Sequence, residues 1–239
     1  MNCFFHRNIS ARPKEGFARL KGMESKMKDK ICYIVGAGVN YNLDFVVTDM
    51  DIVIAADGGL DHLQKAGIAA NLSIGDFDSV KQRPTHGIVL DSEKDFTDMF
   101  AAMQEGLTRG YKLFHIYCGT GGRFDHTFAN IQMLGYLAAK NKRGYLIGRD
   151  YVITAIADGE GISFGSSCNG YISVFSFSDT STGVCIKGLK YEVDDFTFEN
   201  INPMGVSNEF VGVGSSISIE KGTLLVIFPR DSFISSLIE

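Results

Sequence analysis

Apolar and polar positions follow two different rhythms along the chain. Between residue 31 and about residue 149, short apolar runs end in small or acidic residues. The runs at 31–35, 52–56, 72–74, 88–90 and 113–117 lead into Gly36-Ala37-Gly38, Asp57-Gly58-Gly59, Gly75-Asp76, Asp91 and Gly119. Stretches with helical spacing lie between them. Phe100, Met103 and Leu107 recur over 97–107, and Phe128, Ile131, Leu134, Tyr136 and Leu137 trace a broad stripe over 124–139. Short continuous apolar strands alternating with helices predict a parallel sheet covered by helices. After residue 151 the helical period disappears. Alternating runs at 152–157, 161–164, 171–177, 184–187, 212–219 and 223–228 are separated by Gly, Ser, Asn and Asp. That texture predicts a β-sandwich. The expected fold class is α/β plus all-β, with the α/β part over 31–155 and the sandwich over 156–239.

Composition narrows the function. The chain has 239 residues, 45% hydrophobic and 21% charged, enough to bury a sizeable core. The longest apolar runs, such as Leu224 to Phe228, are far too short to cross a bilayer, so no membrane partner is expected. The net charge of −5 argues against a face that grips nucleic acid. That charge is unevenly spread. Residues 1–30 carry eight Lys and Arg against three acids, so the remainder is more acidic than the whole. This basic leader lacks the apolar stretch of a secretory signal; its Arg-bearing, acid-poor start is compatible with an organellar presequence, but it reads first as a disordered extension or as sequence upstream of a start at Met23 or Met27. The five cysteines are odd in number, far apart and never in a C-x-x-C pair, which predicts a reducing, cytoplasmic setting without a disulfide scaffold or zinc site.

The candidate chemistry lies in the carboxylates. Asp57, Asp76, Asp78 and Asp91 stand at or just beyond strand ends. Ligands of open parallel sheets bind outside the carboxyl ends of the strands, so these acids are expected to share one rim. Asp98 and Asp125 open predicted helices, where an acid also complements the helix dipole. Any one of these residues is explained by capping or solvation; the set is not. Asp76 and Asp78, two residues apart in a tight turn, repel each other unless a cation lies between them. Carboxylate oxygens suit Mg²⁺ where phosphates complete its shell. A D-x-D pair also occurs in phosphatases that use the first Asp as nucleophile, although there it follows the first strand, not the third. A second cluster, Gly119-Thr120-Gly121-Gly122-Arg123-Phe124-Asp125-His126, joins a strand to a helix. Its glycines admit an anion close to the backbone, the helix start favours negative charge, and Arg123 supplies a planar fork for phosphate oxygens. The Walker pattern is absent. Acids, an Arg and a Gly-rich helix start together read as a nucleotide polyphosphate site.

At these blocks the chain resembles the thiamin pyrophosphokinase (thiamin diphosphokinase) family. The matching segments are Ala56-Asp57-Gly58-Gly59, Gly75-Asp76-Phe77-Asp78-Ser79, Lys94-Asp95-Phe96-Thr97-Asp98 and the Gly119–His126 cluster with Asn130 after it. Gly188-Leu189-Lys190-Tyr191 and Gly205-Val206-Ser207-Asn208-Glu209-Phe210 follow in the second half. The resemblance implies a three-layer, Rossmann-like ATP-binding domain followed by a thiamin-binding β-sandwich, in a homodimer with thiamin in a cleft between subunits. It implies transfer of the diphosphoryl group of ATP to the hydroxyethyl oxygen of thiamin, giving thiamin diphosphate and AMP, with Mg²⁺ as cofactor. Carried over by position, Asp76, Asp78 and Asp98 are the metal and diphosphate acids and Asp125 a further catalytic acid. Asp57, Gly58, Lys94, Thr97, Arg123 and His126 meet the nucleotide; Ser207 and Asn208 meet the pyrimidine end of thiamin. The chain has no Trp, so Tyr191, Phe196, Phe198 and Phe210 are the candidates to stack on thiamin, each with packing as its competing role. Two other classes compete: a Mg²⁺-dependent phosphatase with Asp76 as nucleophile, and a non-catalytic thiamin- or nucleotide-binding protein.

Overall fold

The structure is a computed structural model that describes residues 30–77, 87–91 and 93–233. The basic leader and Asp78 lie outside the described residues, apart from Lys30. Five strands in the first half are β1 (Ile31–Val35), β2 (Ile52–Ala56), β3 (Leu72–Gly75), β4 (Ile88–Val89) and β5 (Leu113–Tyr117). With β6 (Arg143–Ile147) they pair in parallel, in the order β6-β5-β1-β2-β3-β4. Both faces of β1 and β2 are covered, which is why each reads as an unbroken apolar run.

Helix α1 (Gly59–Ala66) lies on one face, and α2 (Asp98–Thr108) and α3 (Phe124–Ala138) lie on the other. Leu60 and Leu63 of α1 join Tyr33, Val35 and Val53 in one core. Met99 and Met103 of α2 and Leu134 and Leu137 of α3 join Ile34, Ile54 and Phe114 in the other. The α3 stripe is rotated from the expected one. Asn130, Met133, Leu134, Leu137 and Ala138 are buried, while Phe124 and Phe128 face solvent. Helix α1 and strand β6 were not expected. The first is eight residues long and opens on glycine, and the second starts with Arg143 and Gly144, so neither carries a strong period.

The second half forms two stacked sheets, one of which continues the parallel sheet of the first half. Strand β7 (Tyr151–Ala157) pairs antiparallel with β6 and with β14 (Thr223–Pro229), and β9 (Tyr171–Ser176) and β12 (Asn208–Glu209) extend the same sheet to ten strands. A second sheet, β11-β10-β13-β8, covers one face of this extension. It comprises β8 (Gly161–Phe164), β10 (Thr180–Lys187), β11 (Val193–Glu199) and β13 (Ser215–Ser218). The expected division at 155/156 falls inside β7, in the middle of a continuous sheet. Alternate β7 residues serve different cores: Val152 and Ile156 face the second sheet, and Ile153, Ala155 and Ala157 face the helical side. Gly135 of α3 packs against the Phe177 ring, where a β-carbon would come within 2.3 Å, so the helix also touches the second half. Strand β11 escaped the sequence reading because it is an edge strand with only Phe198 buried.

One polar side chain is sealed in this core. His115 of β5 is buried among Tyr33, Tyr145 and Phe233, with ring centroids 5.2–5.6 Å away, and its Nε2 has no hydrogen-bond partner. Burial lowers its pKa to about 4, against a smaller opposing pull from Asp51. The folded chain therefore holds His115 neutral, while the unfolded chain takes up the proton near pH 6.5. Stability is lost as pH falls from about 6.5 towards 4, with a slope of up to about 1.4 kcal/mol per pH unit. His115→Leu should lose about 1–2 kcal/mol less than the parent chain between pH 7 and pH 5 in urea unfolding. Equal losses in the two chains would mean that folded His115 accepts the proton.

Candidate active site

The sheet order reverses between β1 and β5. From β1 the chain moves outward through β2, β3 and β4, whereas β5 and β6 add on the other side. The loops after β1 and β5 must diverge there, and a crevice opens at the carboxyl ends of the strands. Three backbone hydrogen bonds knit the diverging loops: Gly36 N to Tyr117 O at 2.9 Å, Gly38 N to Cys118 O at 2.8 Å and Val39 N to Thr120 O at 3.1 Å. Gly38 is required by this close approach, since a β-carbon would lie 2.5 Å from Cys118 O. Side chains hold both loops from behind. His62 Nε2 lies 2.9 Å from Gly38 O, and buried Asn130 donates to Gly119 O at 2.8 Å.

A cleft of about 570 Å³ lies over this junction. Asp57, Asp76, Lys94, Thr97, Asp98, Arg123 and His126 all line it, together with Gly38, Phe96, Cys118 and Asn130. These residues come from the ends of β1, β2, β3 and β5 and from the first turns of α2 and α3. The acids sit on unusual backbone. Asp57 has φ +45°, and Phe77, next to Asp76, has φ +56°; Cys118 at the end of β5 has φ +52°. Bulky side chains rarely adopt this region, and such outliers gather at functional sites. The Asp57 turn also needs Gly59, because a β-carbon there would stand 1.9 Å from Val35 O.

Charge within the cleft is partly compensated by its own cations. Lys94 Nζ lies 3.1 Å from Asp98 Oδ1 and donates to Asp91 O at 3.0 Å. Thr97 caps α2, its hydroxyl accepting from Phe100 N at 3.2 Å. Arg123 closes its fork on Asp125 through Nε and Nη2, and Asp125 also accepts from His126 N at 3.0 Å. The Arg123 hydrogen bond holds the Asp125 carboxyl below the usual carboxylate range. Among the described residues, three carboxylates of the lining stand against Lys94 and Arg123.

Some expected residues stand elsewhere. Asp125 is exposed and bound to Arg123, and neither it nor Gly58 lines the cleft. Gly58 is the N-cap of α1. Ser207 and Asn208 belong to the second half and also lie outside the cleft lining. Ser207 has φ +58° and donates its backbone N–H to Ser173 Oγ at 3.1 Å. Both amide ends of Asn208 are spent on backbone: Oδ1 accepts from Tyr191 N and Glu209 N, and Nδ2 donates to Tyr191 O at 2.7 Å. Asn208 thus pins the segment that presents Tyr191, whose side chain is 60% exposed. Phe198 and Phe210 are core residues, with Phe210 against Phe164, and Phe196 packs edge-on against Phe198. Cys118 and Gly38 were missed as cleft residues. Only the pairing of β1 with β5 places them there, although the Gly-x-Gly after the first strand was a usable signal.

Two family models match the chain: thiamin pyrophosphokinase, catalytic domain, over residues 43–146, and thiamin pyrophosphokinase, vitamin B1 binding domain, over residues 161–224. The chain is similar to the thiamine pyrophosphokinase of Bacillus subtilis strain 168, at 30% identity over 186 residues, covering 74% of this chain and 87% of the relative. Among solved structures, thiamine pyrophosphokinase from B. subtilis superposes with a TM-score of 0.75 at 27% identity, covering 84% of this chain and 100% of that one. The Geobacillus thermodenitrificans protein gives 0.73 at 26% identity, covering 84% and 98%. Yeast thiamin pyrophosphokinase, at 17% identity, shares the fold with a TM-score of 0.67, covering 88% and 90%.

The hydrogen bonds of Asn208 give it a structural signature. Asn208→Ala should destabilise the chain by about 1–3 kcal/mol, because two backbone groups of Tyr191 lose their partner. Ser207→Ala, which retains the backbone bond to Ser173, should stay within about 0.5 kcal/mol of the parent. Urea unfolding of the two variants checks both values.

Proposed function

The chain belongs to the thiamin pyrophosphokinase family, and from that premise we propose how its cleft and its second half divide the work. The reaction is transfer of the diphosphoryl group of ATP to thiamin, giving thiamin diphosphate and AMP. The observation that carries the site assignment is the convergence of Asp57, Asp76, Lys94, Thr97, Asp98 and Arg123 from separate strand and helix ends on one cleft at the switch point. The triphosphate lies along the Gly119–Arg123 loop towards the start of α3, where backbone N–H groups and the helix dipole favour negative charge. Lys94 and Arg123 neutralise phosphate oxygens as charge moves towards the leaving AMP. The hydroxyethyl oxygen of thiamin attacks the β-phosphorus, its proton passes to a nearby base, and the bond from the β-phosphorus to the oxygen of AMP breaks.

The donor set fits Mg²⁺. Asp98 Oδ1 is buried, makes no hydrogen bond and belongs to a side chain that lines the cleft beside Asp57 and Asp76. Among the described residues no three His, Cys, Asp or Glu side chains form a ready metal cage, so a bound Mg²⁺ would need phosphate oxygens to complete its shell. Asp76 and Asp98, with Asp78 by sequence position, would hold it, and it would supply charge neutralisation of the transferring group. Asp125 acts by orienting Arg123. The phosphatase reading loses ground because Asp76 follows β3, and the comparisons point to a diphosphotransferase.

Thiamin reaches this cleft from a second copy of the chain. The Gly188–Tyr191 and Gly205–Phe210 segments stand outside the cleft lining, and around them Tyr171, Tyr191, Ile201, Met204, Val206, Val211 and Val213 are exposed apolar or aromatic residues. A two-fold dimer that pairs the second half of one subunit with the cleft of the other buries them and completes both sites. Tyr191 is the aromatic offered to thiamin. The cysteines are free among the described residues and no described helix is long and apolar enough to cross a membrane; a cytoplasmic enzyme is consistent with both.

With γ-labelled ATP, Mg²⁺ and thiamin, label is expected in thiamin diphosphate with AMP in equal amount. Free labelled phosphate without dependence on thiamin would refute the assignment. Asp76→Asn should leave the unfolding midpoint nearly unchanged and lower kcat by about 10²–10³. Mixing Asp76→Asn with Tyr191→Ala, each of low activity alone, should restore activity through mixed dimers that contain one intact site. Failure of mixing to restore any activity, with subunit exchange verified by sedimentation of differently tagged chains, would remove the shared-site arrangement.

A further inference from the structure

Lys94 is held in a position that a phosphate-binding lysine does not require. Its side chain is only 12% exposed, and where it lines the cleft its ammonium turns to Asp98, four residues ahead. The ammonium donates to Asp91 O at 3.0 Å, so one of its hydrogens is committed to backbone. Its charge then lies 3.1 Å from Asp98 Oδ1, an oxygen that is buried and makes no hydrogen bond. A buried carboxylate oxygen without a hydrogen bond is costly unless a charge compensates it, and the ammonium is the compensating charge that the structure provides. The lone pairs of Asp98 Oδ1 therefore remain open to a harder cation.

We propose that Lys94 is an internal stand-in for the divalent cation: its ammonium balances Asp98 while the cleft is empty and gives up that position when metal and nucleotide arrive together. The inference rests on Asp98 being a metal ligand, as assigned above. A divalent ion bound at Asp98 is repelled by an ammonium beside the same oxygen. Lys94 has to turn away, and its new partner is the triphosphate, an anion that brings both the metal and a replacement for Asp98. A free metal ion arriving alone offers Lys94 no such partner, so it competes with the ion pair. A nucleotide arriving without metal meets the carboxylates that line the cleft. Lys94 thus makes metal and nucleotide favour each other, beyond their own affinity in solution. The pair is local: Lys94 lies just before α2 and reaches Asp98, the first residue of the helix, four positions on.

The test is metal affinity without nucleotide, a quantity that a purely phosphate-binding or structural lysine cannot improve. Mn²⁺ is titrated into the full chain by electron spin resonance of the free ion. Lys94→Met should bind Mn²⁺ about two- to fivefold more tightly than the parent, the range set by the loss of one partly exposed ion pair. The same variant should bind Mg·ATP more weakly by calorimetry without thiamin. Lys94→Arg, which keeps the charge, should match the parent in Mn²⁺ affinity. Unchanged or weaker Mn²⁺ binding in Lys94→Met, with loss of binding in Asp98→Asn, overturns the stand-in role and leaves the metal assignment intact. Undiminished Mn²⁺ binding in Asp98→Asn overturns both.

Discussion

The parallel pairing of β1 with β5 is the constraint on which the rest of the molecule depends. It joins strands that are distant in sequence, from Ile31 with Leu113 to Val35 with Tyr117, and so fixes where the sheet changes direction. Everything chemical follows from that seam. The loops after the two strands hydrogen-bond to each other through Gly36, Gly38 and Val39, and beyond them the backbone splays into a crevice. Strands β2 and β3 then deliver Asp57 and Asp76 to the same rim, while α2 and α3 deliver Asp98 and Arg123 from the adjoining face. No single one of these residues defines a site. The parallel register gives them a common edge.

Charge balance is the second organising element. Carboxylates in one cleft raise each other's energy unless cations intervene, and in this chain the cations are built in beside them. In the cleft Lys94 stands by Asp98, while Arg123 turns to the exposed Asp125 outside the lining, each pair within four residues along the chain. Such pairs are weak because they are local and partly exposed, and weakness is useful where partners must change. A better bonded pair, Arg230 with Asp44, adds hydrogen bonds to the carbonyls of Gly148 and Asn42, ties the residues after β14 to the loop after β1 and belongs to the framework.

The continuous ten-stranded sheet links the two halves mechanically. Strand β7 is shared by both cores, α3 packs over β6 and β7, and Phe177 closes on Gly135. The start of α3, which carries Arg123, is therefore referred to the same framework as the strands that bear the Tyr191 and Ser207 segments. Those segments nevertheless stand outside the cleft of their own subunit. Exposed apolar residues surround Tyr191 and Val206, and the shared-site dimer proposed above would use that surface to bring the two parts together.

The sequence by itself determined the strands whose burial is complete on one or both faces. Continuous runs such as 52–56 and 224–228 carry their environment in their composition, because burial selects side chains residue by residue. It also determined the acid-bearing turns, because an Asp that ends an apolar run is a local feature. Elements without a strong apolar period left no such trace: α1, which opens on glycine, β6, which opens on Arg143 and Gly144, and the edge strand β11 had to be seen. Only the tertiary structure decided that Cys118 and Gly38 line the cleft, that Asp125 turns to Arg123, that Asn208 is consumed by the Tyr191 backbone, and that the boundary at 155/156 runs through a shared strand. Each of these depends on which strand lies beside which and where a side chain finds its partner. Such pairings between distant residues have no signature in the order of either segment alone.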